Sequence, residues 1–205
     1  MAGSSEVMNI FQYLHHVDKD VTLAINSWNF PVTDFMWQIF SDKQIWYVFY
    51  IVIAFFIFHN LGWKKGLAVT LSIIMTIVCC DQLANLTKDY FQRLRPCMDG
   101  DMVAGGLHIL EGYSAKYCYG FYSAHAANSM GFAVCSADGF AKNDSSRNYR
   151  IYARIAVIWA ILVGMSRVFV GKHFMGDVAV GFIVGLVFAK AWAALARYTI
   201  KKLSL

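Results

Sequence analysis

The sequence predicts an all-α protein, a polytopic membrane bundle of five to six helices with an amphipathic interfacial helix at its N-terminus. Hydrophobic residues make up 58% of the 205 residues and charged residues 15%, against about 25% charged residues in an average soluble domain. The mean hydropathy is +0.46. The apolar residues fall in long runs, and such runs span bilayers as helices because a helix satisfies its own backbone polar groups. This composition excludes a disordered chain and a basic nucleic-acid-binding tail, so no nucleic-acid partner is expected.

The first 40 residues are predicted to lie along the membrane surface and not to cross it. Residues 8–27 mix apolar side chains with polar ones such as His15, His16 and Asp18, which is typical of an amphipathic interfacial helix. Residues 35–40 are predicted to form a second short interfacial turn. The same pattern fits a solvent-exposed helix that packs on the rest of the protein, and this alternative stays open.

Five apolar segments follow, and each is a candidate to cross a hydrocarbon layer that needs about 20 helical residues. They are residues 45–58, 67–90, 122–140, 151–170 and 178–198. Aromatic residues flank the first segment, as they do at membrane interfaces, and the third segment is the least hydrophobic. Residues 91–121 form one long connection, and loops of that length are usually functional or disordered. No repeat or linker divides the chain, so residues 1–205 are predicted to form a single domain.

The charge distribution predicts how the bundle is oriented. Alternating the five spans places ten basic and two acidic residues on one side, and eight basic and eleven acidic residues on the other. Because basic loops stay in the cytoplasm, the second side is expected to face the periplasm or the cell exterior. The sequence therefore predicts a multi-pass protein of a bacterial inner (plasma) membrane.

Three clusters of reactive or charged side chains fall on the predicted periplasmic side. They are Lys88 and Arg95 after the second span, Ser123 and His125 at the start of the third, and Arg167, His173 and Asp177 around the turn from the fourth span to the fifth. Hydropathy alone did not require this convergence. The convergence of the three clusters therefore supports both the predicted topology and a single site.

These residue types fit a phosphoryl-transfer site. Arginine and lysine donors suit a tetrahedral oxyanion such as phosphate, and Ser123 adds a hydroxyl group. Asp177 follows His173 by four residues and shares its helical face, so the carboxylate can leave the other ring nitrogen neutral and nucleophilic. His125 has no adjacent acid and is free to donate a proton. No His-Glu-x-x-His motif occurs and the carboxylates are scattered, so neither a metal site nor a cofactor is predicted.

Other polar residues are interpreted as structural. Asp81 lies inside the second span, near Gln82 and Asn85, and an acid in a membrane is a functional hypothesis by default. It is two turns from Lys88 on a similar face, and a structural polar contact is favoured. The remaining histidines are read in the same way. They are His15, His16, His59 and His108.

The motifs resemble the three-part signature of the type 2 phosphatidic acid phosphatase superfamily. They read Lys88-x6-Arg95-Pro96, Ser123-x-His125 and Ser166-Arg167-x5-His173-x3-Asp177, and together they span residues 88–177. The family's second motif usually reads Pro-Ser-Gly-His, whereas this chain has Tyr122-Ser123-Ala124-His125. That departure bears on the geometry of the phosphate contacts and not on the reaction class.

The resemblance implies an α-helical membrane phosphatase that works without a metal. It implies that His173 attacks phosphorus to form a phosphohistidine, that Asp177 orients it, and that His125 protonates the leaving group. The residues implied to hold the phosphate oxygens are Lys88, Arg95, Ser123 and Arg167. Vanadium-dependent haloperoxidases share such an oxyanion site, but five apolar spans argue against a soluble enzyme of that kind.

The expected function is hydrolysis of a lipid phosphate or diphosphate monoester at the periplasmic face, with the substrate and membrane lipids as partners. Undecaprenyl diphosphate is the first choice of substrate, because a short chain without an extra domain suits recycling of that carrier. Lipid A, phosphatidylglycerophosphate and phosphatidic acid are the alternatives. A non-enzymatic membrane transporter is the alternative from another class, and the oligomeric state stays open.

Two cysteines, Cys97 and Cys118, lie near the two ends of the long loop. If that loop faces an oxidising compartment, a disulfide between them would persist and would hold Arg95 and His125 at a fixed separation. Two free thiols are the alternative.

Overall fold

The computed structural model describes residues 10–110 and 118–204. Within these residues the chain forms seven α-helices and no strand. The helices are α1 (Ile10–Asn26), α2 (Pro31–Ser41), α3 (Trp46–Phe91), α4 (Gly100–Ala104), α5 (Ala124–Asn143), α6 (Arg150–Phe169) and α7 (Met175–Lys202), and a 3₁₀ turn at Pro96–Met98 precedes α4. The predicted all-α class is confirmed.

Helix α3 contains two of the predicted spans. It runs for 46 residues with one break at Gly62, whose φ of 73° and ψ of 174° lie outside the helical region and favour glycine. Beyond the break the chain folds back, because the backbone of Phe58 lies 3.2 Å from where a Cβ of Gly66 would stand. A straight helix would separate these two residues by about 12 Å. The break between the two predicted spans is thus a single residue, Gly62, and the two arms of α3, residues 46–61 and 63–91, fold back on each other there.

Three helices, α3, α6 and α7, are long and apolar enough to cross a membrane. Helix α5, which corresponds to the predicted third span, is not among them. Half of its 20 residues are buried, many of them glycine, alanine or serine, and it packs against α3, α6 and α7. Small residues let helices approach closely: a Cβ at Gly181 of α7 would lie 2.6 Å from the Ser123 carbonyl oxygen. The low hydropathy of α5 follows from its contact with protein on several sides.

A cluster of aromatic side chains packs the first arm of α3 against the centre of the bundle. Tyr50 lies 4.7 Å from Phe132 between ring centroids, and Phe49 lies 5.0 Å from Trp159. Trp46 packs edge-on against the same Trp159 at 5.4 Å. Aromatic ring pairs contribute stabilising free energy beyond that of the area they bury. These contacts therefore hold the first arm against α5 and α6.

Helix α1 lies against the loops at the predicted periplasmic end. The buried Asn26 amide donates to the carbonyls of His108 and Val168, both at 3.0 Å. Lys19 pairs with Asp99 and Asp101 at 2.8 Å each. Helix α1 is therefore joined both to the end of α6 and to the long loop. Its opposite face exposes a row of apolar side chains, namely Ile10, Phe11, Leu14, Val17 and Val21.

The long connection is closed by main-chain hydrogen bonds and not by a disulfide. Cys97 and Cys118 are free thiols, so the alternative of two free thiols holds. The Arg95 N–H donates to the Cys118 carbonyl at 2.9 Å, and the Gly120 N–H donates to the Arg93 carbonyl at 2.8 Å. This antiparallel bridge brings the segment after α3 beside the segment before α5 without a covalent bond. The middle of the loop, residues 111–117, lies outside the described residues.

Candidate active site

The three predicted clusters meet around one cavity of about 680 Å³. Its lining includes five of the predicted site residues, namely Lys88, Arg95, His125, Arg167 and His173. The other two, Ser123 and Asp177, are completely buried and do not belong to the lining. Residues that are far apart in the sequence thus form one pocket with a cationic wall.

The turn between α6 and α7 fixes the position of His173. Gly171 adopts a φ of 78°, which an L-residue with a side chain rarely adopts. The N–H groups of Lys172 and His173 both donate to the Arg167 carbonyl, at 3.0 and 3.1 Å. The third motif is therefore a helix end followed by a tight turn, which sets His173 close to Arg167.

His173 and Asp177 form the predicted pair. Nδ1 of His173 lies 3.4 Å from Oδ2 of Asp177, and the same oxygen accepts the Phe174 N–H at 3.1 Å. Nε2 of His173 lies 3.2 Å from Nη1 of Arg95, which also lines the cavity. The carboxylate thus contacts one ring nitrogen and leaves the other on the side of the cationic wall.

The surroundings of His173 favour its neutral form. Burial is the largest influence, and the nearby cations Arg95, Arg167 and Lys88 act in the same direction, so the pKa of His173 lies well below 6.5. Both effects disfavour an additional positive charge. The unprotonated imidazole, which is the nucleophilic form, therefore predominates at neutral pH.

The cationic wall comes from three separate elements. Lys88 lies in the last turn of α3, and Arg95 in the loop donates to the Lys172 carbonyl at 3.2 Å. Arg167, in the last turn of α6, is only 6% exposed and donates to the side chain and backbone of Ser41 at the end of α2. Lys43 and Lys172 line the cavity as well, and several cations around one cavity suit an anion with several oxygens.

Ser123 and His125 stand at the start of α5. The Ser123 hydroxyl accepts the Ala126 N–H at 3.4 Å and so caps the helix, while the Ser123 N–H donates to the Asp177 carbonyl at 3.1 Å. Ser123 thus ties the start of α5 to the start of α7, and its contact with phosphate stays a prediction. Tyr122, which replaces the usual proline, is buried and donates to the Cys80 carbonyl at 2.8 Å.

Sequence reasoning missed Arg93. Its Nη1 donates to Oδ1 of Asp177 and its Nη2 to Oδ2 of Asp18, each at 2.7 Å. Its guanidinium also lies 4.0 Å from the ring centroid of Phe174. The Asp177 carboxylate is therefore shared between His173 on one oxygen and Arg93 on the other. The only signal in the sequence is that Arg93 falls inside the x6 segment of the first motif.

Sequence reasoning also missed Asp18 of helix α1. Its Oδ1 accepts the Gly176 N–H at 2.7 Å, and Thr22, one turn later, accepts the Met175 N–H at 2.9 Å. These bonds satisfy N–H groups in the first turn of α7, which have no partner within the helix. Helix α1 therefore supports the turn that carries His173 and Asp177.

Two residues that the sequence analysis treated as structural also lie near the site. His15 stands 3.1 Å from Nη2 of Arg93 and packs edge-on against Phe174. Asp81 accepts a hydrogen bond from Asn128 at 2.8 Å, as expected for a structural contact, but it also lines the cavity.

Comparison with known proteins identifies relatives along most of the chain. A sequence profile of the PAP2 superfamily matches residues 62–201. The lipid A 4'-phosphatase of Bacteroides thetaiotaomicron is 30% identical over 177 residues, covering 86% of this chain and 75% of that protein. The lipid A 4'-phosphatase of Porphyromonas gingivalis is 28% identical over 179 residues, covering 86% and 71%.

Two solved structures share the fold. The transmembrane PAP2-type phosphatidylglycerolphosphate phosphatase of Bacillus subtilis matches with a TM-score of 0.72 and 20% identity, over 91% of this chain and 87% of that one. LpxE of Aquifex aeolicus matches with a TM-score of 0.62 and 21% identity, over 84% and 92%. The profile match, which covers more than half of the chain, confirms the resemblance to the family, and the two structures agree with it in fold.

The surroundings of His173 lead to a titration experiment. We predict that the pKa of His173 lies well below 6.5 and that it rises in Arg95→Gln, because that change removes a cation that disfavours the imidazolium form. NMR of histidine-labelled protein in micelles, with the His173 signal assigned by mutation, measures both values. Lys64→Gln, which neutralises an exposed lysine beside the Gly62 break, is the control and should leave the titration unchanged. A pKa at or above 6.5 for His173 would contradict the prediction.

Proposed function

We propose that this chain, which belongs to the PAP2 superfamily of metal-independent membrane phosphatases, removes a phosphate group from lipid A or a closely similar glycolipid. The choice of substrate rests on two relatives named lipid A 4'-phosphatase, each of which aligns with 86% of the chain. Neither of them supports undecaprenyl diphosphate, so lipid A replaces it as first choice. The structural neighbours, at 20% and 21% identity, support the fold alone. Membership of an enzyme family sets the transporter alternative aside.

In the proposed reaction, Nε2 of His173 attacks phosphorus and the bond to the lipid oxygen breaks. His125 gives its proton to that oxygen, and the lipid leaves as an alcohol. A water molecule then attacks the phosphohistidine, His125 takes up a proton from the water, and inorganic phosphate and neutral His173 are restored. Apart from the water, each step needs only groups that line the cavity: His125 acts as the acid in the first half-reaction and as the base in the second, and His173 is first the nucleophile and then the leaving group.

The cationic wall is proposed to stabilise the charge on the phosphate oxygens during both transfers. Lys88, Arg95 and Arg167 come from different elements, so they contact the anion from different directions. Phosphoryl transfer relies mainly on positioning and on charge stabilisation, and fixed cations provide both. The N-terminus of α5, where Ala124 and His125 line the cavity, adds backbone N–H donors.

Asp177 and Arg93 are proposed to position the nucleophile. The Asp177 carboxylate accepts from Nδ1–H of His173, so the lone pair stays on Nε2. A fully buried carboxylate is costly unless it is paired, and Arg93 provides that partner at 2.7 Å. Asp18 in turn pairs with Arg93 at 2.7 Å. His173, Asp177, Arg93 and Asp18 thus form one chain of contacts that ends on helix α1.

The site is proposed to face the periplasm from a bacterial inner membrane, with residues 1–205 as one domain. We propose five membrane crossings, two of them in α3 and one each in α5, α6 and α7, with α1 lying at the interface. The excess of basic residues on the side away from the site supports the orientation. The row of exposed apolar residues on α1 supports its contact with lipid.

Cysteine labelling tests the orientation. We expect a cysteine at Ser204, at the exposed end of α7, to react with a membrane-impermeant thiol reagent only after the cells are opened. A cysteine at the exposed Asp89, near the site end of α3, should react in intact spheroplasts. The unsubstituted protein gives the background from the native cysteines. The reverse result would place the site in the cytoplasm.

Phosphate release from a panel of lipids tests the proposed function. We expect the highest kcat/KM on lipid A phosphate, ahead of phosphatidylglycerophosphate, phosphatidic acid and undecaprenyl diphosphate, and no loss of rate with EDTA. His173→Ala should lower kcat by at least roughly 10⁴-fold, because it removes the atom that bonds to phosphorus. A higher kcat/KM on another lipid would contradict the substrate, and an active His173→Ala would contradict the mechanism.

Substitution of Arg93 tests the positioning chain. We expect Arg93→Gln to lower kcat by roughly 10–100-fold with a smaller change in KM, because Asp177 loses its charged partner while the phosphate-binding cations remain. Arg93→Lys should recover part of kcat, since it restores the charge without the two-pronged geometry. Arg147→Gln, at an exposed arginine on the opposite end, is the matched control. Equal losses in the Gln and Lys variants would contradict a role of the charge.

A further inference from the structure

The cavity extends beyond the residues to which the proposed reaction assigns a role. Asp81 and Asn85 lie on the same face of α3 as Lys88, at spacings of seven and three residues, and Asn128 faces them from α5. All of them line the cavity. They form a polar patch inside a helix that is otherwise apolar enough to cross a membrane. Polar side chains within a membrane-spanning helix cost free energy. The proposed binding of phosphate by Lys88, Arg95 and Arg167 does not require them.

Asp81, which lines the cavity, has a hydrogen-bond donor from the described residues on only one of its two carboxylate oxygens. Its Oδ1 accepts a hydrogen bond from Nδ2 of Asn128 at 2.8 Å. Its Oδ2 accepts none from the residues that the structure describes. An ionised carboxylate is an acceptor only, so the group that completes Asp81 must be a donor. Asn85 is exposed beside it and can both donate and accept.

Helix spacing places this patch on the side where the lipid alcohol leaves. Asn128 follows His125 by three residues, so it lies about 4.5 Å further along α5, and Asp81 contacts Asn128 directly. In the proposed reaction His125 gives its proton to the oxygen of the leaving alcohol. The carbon skeleton attached to that oxygen is therefore the part of the substrate nearest to Asp81.

We infer that Asp81, Asn85 and Asn128 form a subsite for hydroxyl or amide N–H donors on the alcohol that carries the phosphate. This inference rests on the proposed function, because it takes the leaving alcohol to be the sugar of a glycolipid. Beyond the patch, Tyr50, Ile77 and Val163 complete an apolar part of the lining. A hydrogen-bond donor in the subsite meets Asp81 inside this cavity. Hydrogen bonds to a charged group are strong where bulk water is excluded.

The subsite selects among lipids because a lipid without a donor leaves the second oxygen of Asp81 without a hydrogen bond. A sugar phosphate offers hydroxyl and amide donors next to the ester oxygen, and phosphatidylglycerophosphate offers one hydroxyl. Phosphatidic acid offers only ester oxygens there, so its binding would remove water from Asp81 and return no hydrogen bond. Sites built to bond a polar group reject analogues that lack it for this reason. The expected selectivity is thus for phosphates on hydroxyl-bearing or amide-bearing alcohols.

Three lipids measured against one another test the subsite. The quantity is kcat/KM on lipid A phosphate, or on phosphatidylglycerophosphate, divided by kcat/KM on phosphatidic acid in the same mixed micelles. We expect Asp81→Ala to lower both ratios, the lipid A ratio by roughly 10–100-fold, and Asn85→Ala to lower it less. Asp89→Asn, at an exposed acid on the same helix, is the matched control and should change neither ratio.

The outcomes separate the subsite from the proposed substrate. A wild type that prefers phosphatidylglycerophosphate to lipid A, with a ratio that still falls in Asp81→Ala, would contradict the substrate and support the subsite. A wild type that prefers phosphatidic acid would contradict both. If Asp81→Ala slows all three lipids equally, or does not fold while Asn85→Ala leaves both ratios unchanged, the subsite is overturned.

Discussion

The buried carboxylate of Asp177 is the constraint on which the rest of the site depends. It lies at the start of α7, is completely buried, and contacts His173, Arg93 and the Phe174 N–H. A negative charge in such a place is stable only if several donors surround it. Those donors come from the turn before α7 and from the loop after α3, so these segments must meet for the bundle end to form.

The carboxylate that contacts His173 lies deeper than the cations of the site. Lys88, Arg95 and Arg167 line the cavity, while Asp177 lies behind His173 and does not line it. Behind the imidazole, the Asp177 carboxylate contacts His173, Arg93 and the Phe174 N–H, so it does not compete with a bound phosphate for the donors that line the cavity. Burial of His173 and the positive charge on its cavity side both favour the neutral form of the imidazole.

Local patterns predicted the motifs and the helices that carry them, and long-range contacts decided what was missed. Three polar clusters followed from hydropathy and from spacings of a few residues, and five of their members line one cavity. The Arg93–Asp18 pair joins residues 75 positions apart, and no periodicity reports on such a pair. The single-residue turn at Gly62 and the central position of α5 depend on packing between helices. The long loop is closed by main-chain pairing, which composition does not reveal, and not by the disulfide that two cysteines near its ends had suggested.

Helix α1 has a consequence for how the boundaries of this enzyme are drawn. The segment that the PAP2 profile matches begins at residue 62, so Asp18, Ser41 and the first arm of α3 all lie before it. Yet Asp18 and Ser41 hold Arg93 and Arg167, and Trp46 and Tyr50 form part of the cavity wall. A fragment trimmed to the matched segment would retain all three motifs but lose the partners of two arginines that lie within them, Arg93 and Arg167. We therefore expect that an active fragment must also include the segments that carry Asp18 and Ser41.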